Sequence, residues 1–224
     1  MKREIIKTGD GSTTIHIPEW NEQYHSKHGA IQEANHVFIE MGLNKVLERE
    51  ELKEVSILEI GFGTGLNALV TWAAIKEKEI QINYTGVEAY PVAEEEVTQL
   101  NFADEVNAEN AVAVFNKMHE VSWETAQEIS EKFFLRKQEK FFHEIADENA
   151  FDLIYFDAFG ARVQPDLWTV EIFEKMYKAT NQNGVLVTYA AKGSVRRAML
   201  EVGFKVERLQ GPPGKREMLR ATKV

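Results

Sequence analysis

The chain has 224 residues, 44% of them hydrophobic, and a formal charge of -10, enough to bury a full core as one domain or as one domain with a small appendage. Zero Cys excludes disulfides, thiolate zinc sites and a thiol nucleophile. No window approaches the roughly 18 uninterrupted apolar residues of a membrane span, and the first residues hold no apolar run of signal-peptide length, so a soluble cytoplasmic protein is expected.

In chain order, Glu4–Lys7 and Thr13–Ile17 alternate around Gly9-Asp10-Gly11 and predict a β-hairpin. Glu33 to Leu47 predicts a helix with an apolar stripe of Val37, Met41 and Val46. Val55–Ile60 is a short buried strand, Asn67–Lys78 a helix behind a glycine-rich turn, Ile80–Val87 a second strand, and Val92–Phe102 a helix after Pro91. Asp104–Lys140 reads as mostly helical, Phe141–Ile145 as a third strand and Phe151–Phe156 as a fourth. Asp166–Thr180 is a helix behind Pro165. Strands Val185–Ala190, Phe204–Leu209 and Glu217–Thr222 follow, with helix Ser194–Val202 between the first two.

This alternation predicts an α/β fold: a Rossmann-like, doubly wound, mostly parallel sheet ending in a C-terminal antiparallel hairpin around Gly211-Pro212-Pro213-Gly214, plus the N-terminal β-hairpin. Residues 1–50 are expected to form a hairpin-and-helix extension packed on a core of residues 51–224. In such sheets ligands bind outside the carboxyl ends of the strands.

The first core strand ends in EIGFGTGLN, with Gly61, Gly63 and Gly65. Glycines there let the backbone turn sharply and approach a ligand closely. A dinucleotide fingerprint would carry its third Gly at Leu66, so the spacing disfavours NAD or FAD and suits a smaller nucleoside, with a merely structural turn as the alternative. Glu88, at the tip of the second strand, is placed to accept hydrogen bonds from both ribose hydroxyls. Glu144, in FFHEI, is placed on the third strand to face an adenine edge.

The negative average charge hides an asymmetry. From Lys192 onward stand nine Lys/Arg against three Glu, a net +6 that leaves -16 for the remainder. A basic tail on an acidic chain points to a local anionic partner such as nucleic acid, or to a solvated face that balances acidic helices. The six His show no HxH or HExxH spacing, so no metal site is expected.

The glycine turn, the acid after the second strand and the terminal antiparallel pair resemble a class I S-adenosylmethionine-dependent methyltransferase. More narrowly, YHSKHGAIQEANHVFI (Tyr24–Ile39), EIGFGTGLN (Glu59–Asn67), FDAFGARVQPDLWT (Phe156–Thr169), SVRRAMLEVGF (Ser194–Phe204) and GKREML (Gly214–Leu219) resemble the methyltransferase domain of MnmC, which also occurs alone as MnmD. The chain departs from that pattern at Gly160 and Gln164, where Pro and Asn are usual, at His28, and at Glu144, where Asp is usual. The resemblance implies methylation of the amino group of 5-aminomethyl-(2-thio)uridine at the tRNA wobble position. It implies S-adenosylmethionine as cofactor, held by Glu59, Gly61, Gly63, Gly65, Asn67, Glu88, Glu144 and Asp157. It also implies no metal and no membrane partner, and the flavin-dependent half of MnmC has no counterpart in these residues.

Within that resemblance Asp157 is the expected catalytic residue. Methyl transfer from a sulfonium is an in-line displacement that needs the amine within about 3–3.5 Å of the methyl carbon, and a carboxylate at the sheet edge can orient the amine and receive its proton. The alternative for Asp157, an N-cap of the next helix, is better filled by Asp166 or Gln164. Phe156, Phe159 and Trp168 are expected to cover the uracil base, and Lys192, Arg196, Arg197, Lys215 and Arg216 to contact anticodon-loop phosphates. Two other functions are compatible with the residues: methylation of a small amine, and non-catalytic binding of cofactor or RNA.

Overall fold

The computed structural model describes residues 2–224. Its centre is an eight-stranded sheet of β4 (Glu54–Ile60), β5 (Gln81–Glu88), β6 (Gln127–Ser130), β7 (Phe133–Glu139), β8 (Phe151–Phe156), β9 (Thr180–Thr188), β10 (Phe204–Gln210) and β11 (Glu217–Lys223), in the order β10-β11-β9-β8-β4-β5-β7-β6. The pairs β7–β5, β5–β4, β4–β8 and β8–β9 are parallel; β11 runs antiparallel to β9 and β10, and β6 antiparallel to β7. The doubly wound sheet and its terminal antiparallel hairpin are as expected from the sequence. The N-terminal hairpin, β1 (Glu4–Lys7) with β2 (Thr13–Ile17), gains a third short strand, β3 (Glu22–Gln23).

Strands with both faces covered read as continuous apolar runs, and β8 is the clearest case: Leu153, Ile154, Tyr155 and Phe156 are all fully buried. Alternate residues go to opposite sides. Tyr155 joins Ile57, Tyr84 and Val187 in one cluster with α3 (Leu66–Ile75) and the helical run of residues 30–47. Ile154 and Phe156 join Leu58, Val87 and Leu186 in a second cluster with α7 (Val170–Ala179) and α8 (Gly193–Glu201). The run 30–47 comprises α1 (Ala30–Ala34), a π-helical stretch Asn35–Leu43 and α2 (Asn44–Leu47), and its Phe38 ring lies 5.0 Å from that of Tyr155.

Four expectations are corrected. The third parallel strand is β7, not Phe141–Ile145, and with β6 it lies inside the stretch read as mostly helical. The polar half of β7 hid it, because Lys137 is buried there, its Nζ donating to the His119 carbonyl at 2.8 Å. Phe142–Glu144 instead forms a short 3-10 turn in which the Glu144 carboxylate accepts the Phe141 N–H at 2.7 Å. The expected helix Val92–Phe102 is split into α4 (Glu94–Val97) and α5 (Phe102–Glu105), followed by α6 (Ala111–Glu120). The helix expected from Asp166 begins at Val170, since Pro165–Trp168 closes a 3-10 turn and Thr169 is extended.

Candidate active site

From β4 the chain winds outward through β5 to β7, then crosses back to β8 on the other side. The β4–β8 boundary is therefore the topological switch point, where the loops after adjacent strands part and leave a crevice at the carboxyl edge. A cavity of about 560 Å³ opens there. Its floor carries Glu59, Gly61, Gly63 and Asn67 from the end of β4 and the start of α3, Glu88 from β5, and Asp157 after β8.

The turn is shaped to fit. Gly61 has φ +89°, and a Cβ there would lie 2.9 Å from the Asp157 carbonyl, so only glycine lets the two strand ends nest. The Asp157 N–H in turn donates to the Ile60 carbonyl at 3.0 Å. Gly63, at φ +48°, donates its N–H to Glu88 Oε2 at 3.0 Å, while Glu88 Oε1 accepts the Tyr90 N–H at 3.0 Å.

Three carboxylates meet in this low-dielectric space. Glu59, 1% exposed, accepts from Tyr84 Oη at 2.9 Å and Asn67 Nδ2 at 2.8 Å. The same Asn67 nitrogen donates to Asp157 Oδ2 at 2.8 Å. Burial, and then the neighbouring Asp157 charge, raise the Glu59 carboxyl well above the usual range. Burial pushes Asp157 up to about 7, with the Asn67 hydrogen bond and the Lys215 charge opposing and Glu33 assisting. Glu88 is raised by burial and partly restored by its backbone donors. Clustered carboxyls with raised pKa values are poised to receive a cation, and Asn67 Oδ1, buried without a partner, is a free acceptor beside them.

Residues from the N-terminal segment cover the cavity. Tyr24 sits edge-on to Phe159 at 5.0 Å, and Trp20 edge-on to the same ring at 5.6 Å. Arg162 ties the two segments together, donating to the Trp20 carbonyl at 2.9 Å and pairing with Glu22 at 2.7 Å. His25 bridges Thr14 and Thr64 through its two ring nitrogens, and burial lowers it to about 4, which keeps it neutral. Tyr90 and Phe141, both exposed, meet edge-on at 6.0 Å on the β5–β7 side of the opening.

Of the residues singled out in the sequence, the structure brings Glu59, Gly61, Gly63, Asn67, Glu88, Asp157, Phe159 and Lys215 to one cavity. Gly65, with φ +74°, precedes α3 and sits behind the lining, against His119 and Phe62. Glu144 caps its own 3-10 turn and is outside the lining. Phe156 and Trp168 are core: Phe156 is fully buried, the two rings lie 5.0 Å apart, and Trp168 Nε1 donates to the Phe159 carbonyl at 2.8 Å. Lys192, Arg197 and Arg216 are exposed and Arg196 half-buried; Lys192 follows β9 and Arg216 precedes β11. Sequence reasoning gave no role to Trp20, Tyr24, Glu33 or Tyr189, although Tyr24 and Glu33 lie in the Tyr24–Ile39 stretch and Tyr189 follows a strand tip.

Among the described residues no group of three His, Cys, Asp or Glu could hold a metal, and no helix is long and apolar enough to cross a membrane. The chain is 28% identical over 219 residues, 92% of its length, to the tRNA 5-methylaminomethyl-2-thiouridine biosynthesis bifunctional protein MnmC of Burkholderia multivorans, and 29% identical over 212 residues, 89% of its length, to that of Hydrogenovibrio crunogenus. It spans about a third of the length of these curated relatives (33% and 31%). The crystal structure of MNMC2 from Aquifex aeolicus superposes with a TM-score of 0.80 and 26% identity, covering 98% of this chain and 70% of that one. Spermidine synthase from Thermotoga maritima shares the fold, with a TM-score of 0.59, 12% identity, and 99% and 69% coverage. Residues 103–224, more than half of the sequence, match the family described as S-adenosyl-L-methionine-dependent methyltransferase, and the chain belongs to that family.

Proposed function

We propose that the chain methylates the primary amine of 5-aminomethyl-(2-thio)uridine at the wobble position of tRNA, with S-adenosylmethionine as methyl donor. One observation carries the reading. The Asp157 carboxylate stands at the switch-point end of β8 beside the Gly61–Gly65 turn, in a cavity that Trp20, Tyr24 and Phe159 also line. The names of the MnmC relatives agree with it.

The donor set fits the methyl donor. Glu59, Asn67 Oδ1 and Asp157 form an acceptor-rich pole suited to a sulfonium and an ammonium, and Glu88 a second pole suited to ribose hydroxyls. When bound, S-adenosylmethionine supplies an electrophilic methyl on a sulfonium. Asp157 accepts an N–H of the substrate amine, aims the nitrogen lone pair inward and takes its proton; with a pKa of about 7 it exchanges that proton readily near neutrality. Trp20, Tyr24 and Phe159 exclude water and offer rings to the base, each stack contributing about 1–3 kcal/mol. Exposed Lys192, Arg197 and Arg216 are available to anticodon-loop phosphates.

Incubation with labelled S-adenosylmethionine and bulk tRNA lacking the terminal methyl, followed by nucleoside analysis, tests the reading. A labelled methylaminomethyl nucleoside is expected. Its absence, or robust transfer to small amines without RNA, overturns it.

A further inference from the structure

Three side chains far apart in sequence meet at the Asp157 end of the cavity. Lys215, in the loop between β10 and β11, pairs its Nζ with Glu33 of α1, and the same nitrogen lies 3.9 Å from the centroid of the Tyr189 ring. Each partner is itself fixed. Glu33 Oε2 accepts the Ser26 N–H at 3.0 Å, and Tyr189 Oη donates at 2.8 Å to the carbonyl of Ala158, the residue after Asp157. The loop is fixed too: a Cβ on Gly214 would come within 2.3 Å of the His28 ring, and the Gln210 carbonyl meets His36 Nε2 at 2.8 Å.

A surface lysine that only neutralises a backbone phosphate needs no fixed partner on its own chain. Lys215 instead lines the cavity together with Asp157, clamped by a carboxylate and an aromatic face.

We propose that Lys215, clamped between Glu33 and Tyr189, is a positioning residue that holds an ammonium at the Asp157 end of the cavity, favouring the carboxylate form of Asp157 and the unprotonated form of the acceptor amine. The inference rests on the methyl-acceptor reading above. A primary alkylamine is largely protonated at neutral pH and has no lone pair until it loses that proton. A neighbouring cation disfavours a second one, as with amines activated by an adjacent positive group, and it favours the carboxylate form of Asp157.

Protons and electrons balance. The acceptor ammonium first loses a proton. Its lone pair then forms the N–C bond as the C–S bond breaks, with that bond's electron pair remaining on sulfur. The methylated nitrogen finally gives up its second proton. Asp157 takes each proton in turn and passes it to solvent.

Glu33 works in the opposite sense on Asp157 and is the stronger of the two charges, so Lys215 offsets part of the rise that burial and Glu33 impose. The other charged or titratable groups around this cluster are Glu59, joined to Asp157 through Asn67, His28 against the loop, and Glu22, whose charge reaches Tyr189. Opposite signs for Lys215 and Glu33 distinguish an electrostatic role from a structural one, since loss of packing would move both variants the same way.

The test is a carbon-13 NMR titration of aspartate carboxyls in the ligand-free full chain, with Asp157 assigned through D157N, alongside the pH profile of kcat/KM on undermodified tRNA. K215M is expected to move the Asp157 titration and the acid limb of the profile upward by about one pH unit. E33Q is expected to move both downward, and K215R to restore the wild-type position. At pH 7, K215M should lose about tenfold in kcat/KM. A K215M protein with unmoved titration and unmoved limb overturns the inference, as does one that loses only salt-dependent tRNA affinity. A wild-type chain that leaves tRNA unmethylated overturns the function proposed above, and the carboxyl titrations then decide the role of Lys215 toward Asp157.

Discussion

Asn67 Nδ2 donates to Asp157 Oδ2 at 2.8 Å and so joins the first turn of α3 to the tip of β8. The same nitrogen's other proton goes to Glu59 Oε1, also at 2.8 Å, which fixes the amide's orientation: reversing it would set its oxygen against two carboxylates. One amide thus holds two acids at defined places. Asn67→Ala leaves both short of a donor in a buried setting, at a cost of about 1–3 kcal/mol. In a chain of this size that lowers Tm by about 2–4 °C for each kcal/mol. Asp157, without the hydrogen bond that favours its charged form, should titrate above its present position near 7, so the acid limb of the rate profile should move upward. Thermal melts and pH–rate profiles of the variant check both; unchanged values in both would show that the bridge has no energetic role.

Asp157 also sets function against stability. Its folded-state pKa, near 7, is raised above the ordinary aspartate value of 3.8, so the folded protein favours the protonated acid. The stability it contributes is full below the unfolded pKa and is lost as pH rises through about 7. Asp157→Asn removes the charged form altogether. The variant is expected to melt a few degrees higher than wild type at pH 8, with a smaller difference at pH 5. Methyl transfer should fall by at least about tenfold at both pH values while cofactor binding persists. Calorimetric melts at the two pH values, with single-turnover assays, measure it. A Tm difference independent of pH would contradict the raised pKa.

Phe156 and Phe159 are three positions apart, yet they answer to different tests. Phe156 is fully buried against Trp168 and Phe173, and Phe156→Ala should cost about 3–5 kcal/mol of stability. Phe159 lines the cavity and meets Trp20 and Tyr24 only edge-on. Phe159→Ala should lower kcat/KM for tRNA about tenfold, the lower end of a 1–3 kcal/mol stack, with a much smaller effect on folding. Denaturant unfolding and steady-state kinetics on the pair separate the roles. Equal destabilisation of the two variants would place Phe159 in the core.

Lys192, Arg197 and Arg216 have exposed side chains in the basic C-terminal part of the chain. Each alanine replacement should weaken tRNA binding and reduce the slope of log affinity against log salt by about one for every phosphate that is no longer neutralised. The rate at saturating tRNA should stay within about twofold. Fluorescence anisotropy at several salt concentrations provides the slopes, and wild-type slopes in all three variants would move the RNA track elsewhere.

The sequence alone determined the features that depend on neighbours along the chain. The apolar run Leu153–Phe156 ending at Asp157, the glycine spacing after Ile60 and the acid at the tip of β5 each follow from local backbone chemistry, and the alternation of strands and helices around them implies the doubly wound sheet with its crevice at the strand ends. What the tertiary structure decided depends on burial and on side chains converging from distant segments. Phe156 and Trp168 look like cavity aromatics in sequence, but alternation along β8 and the turn before α7 send them to the core, while Trp20 and Tyr24 arrive from the N-terminal segment to roof the site. The polar half of β7 does not read as a strand because its buried cation, Lys137, is satisfied by a carbonyl of α6 that no local pattern reveals. Lys215 reads as one more basic residue in a basic tail. Only the meeting of α1, the end of β9 and the β10–β11 loop turns it inward onto Glu33 and Tyr189, because an ammonium's environment is set by what packs around it and not by its place in the chain.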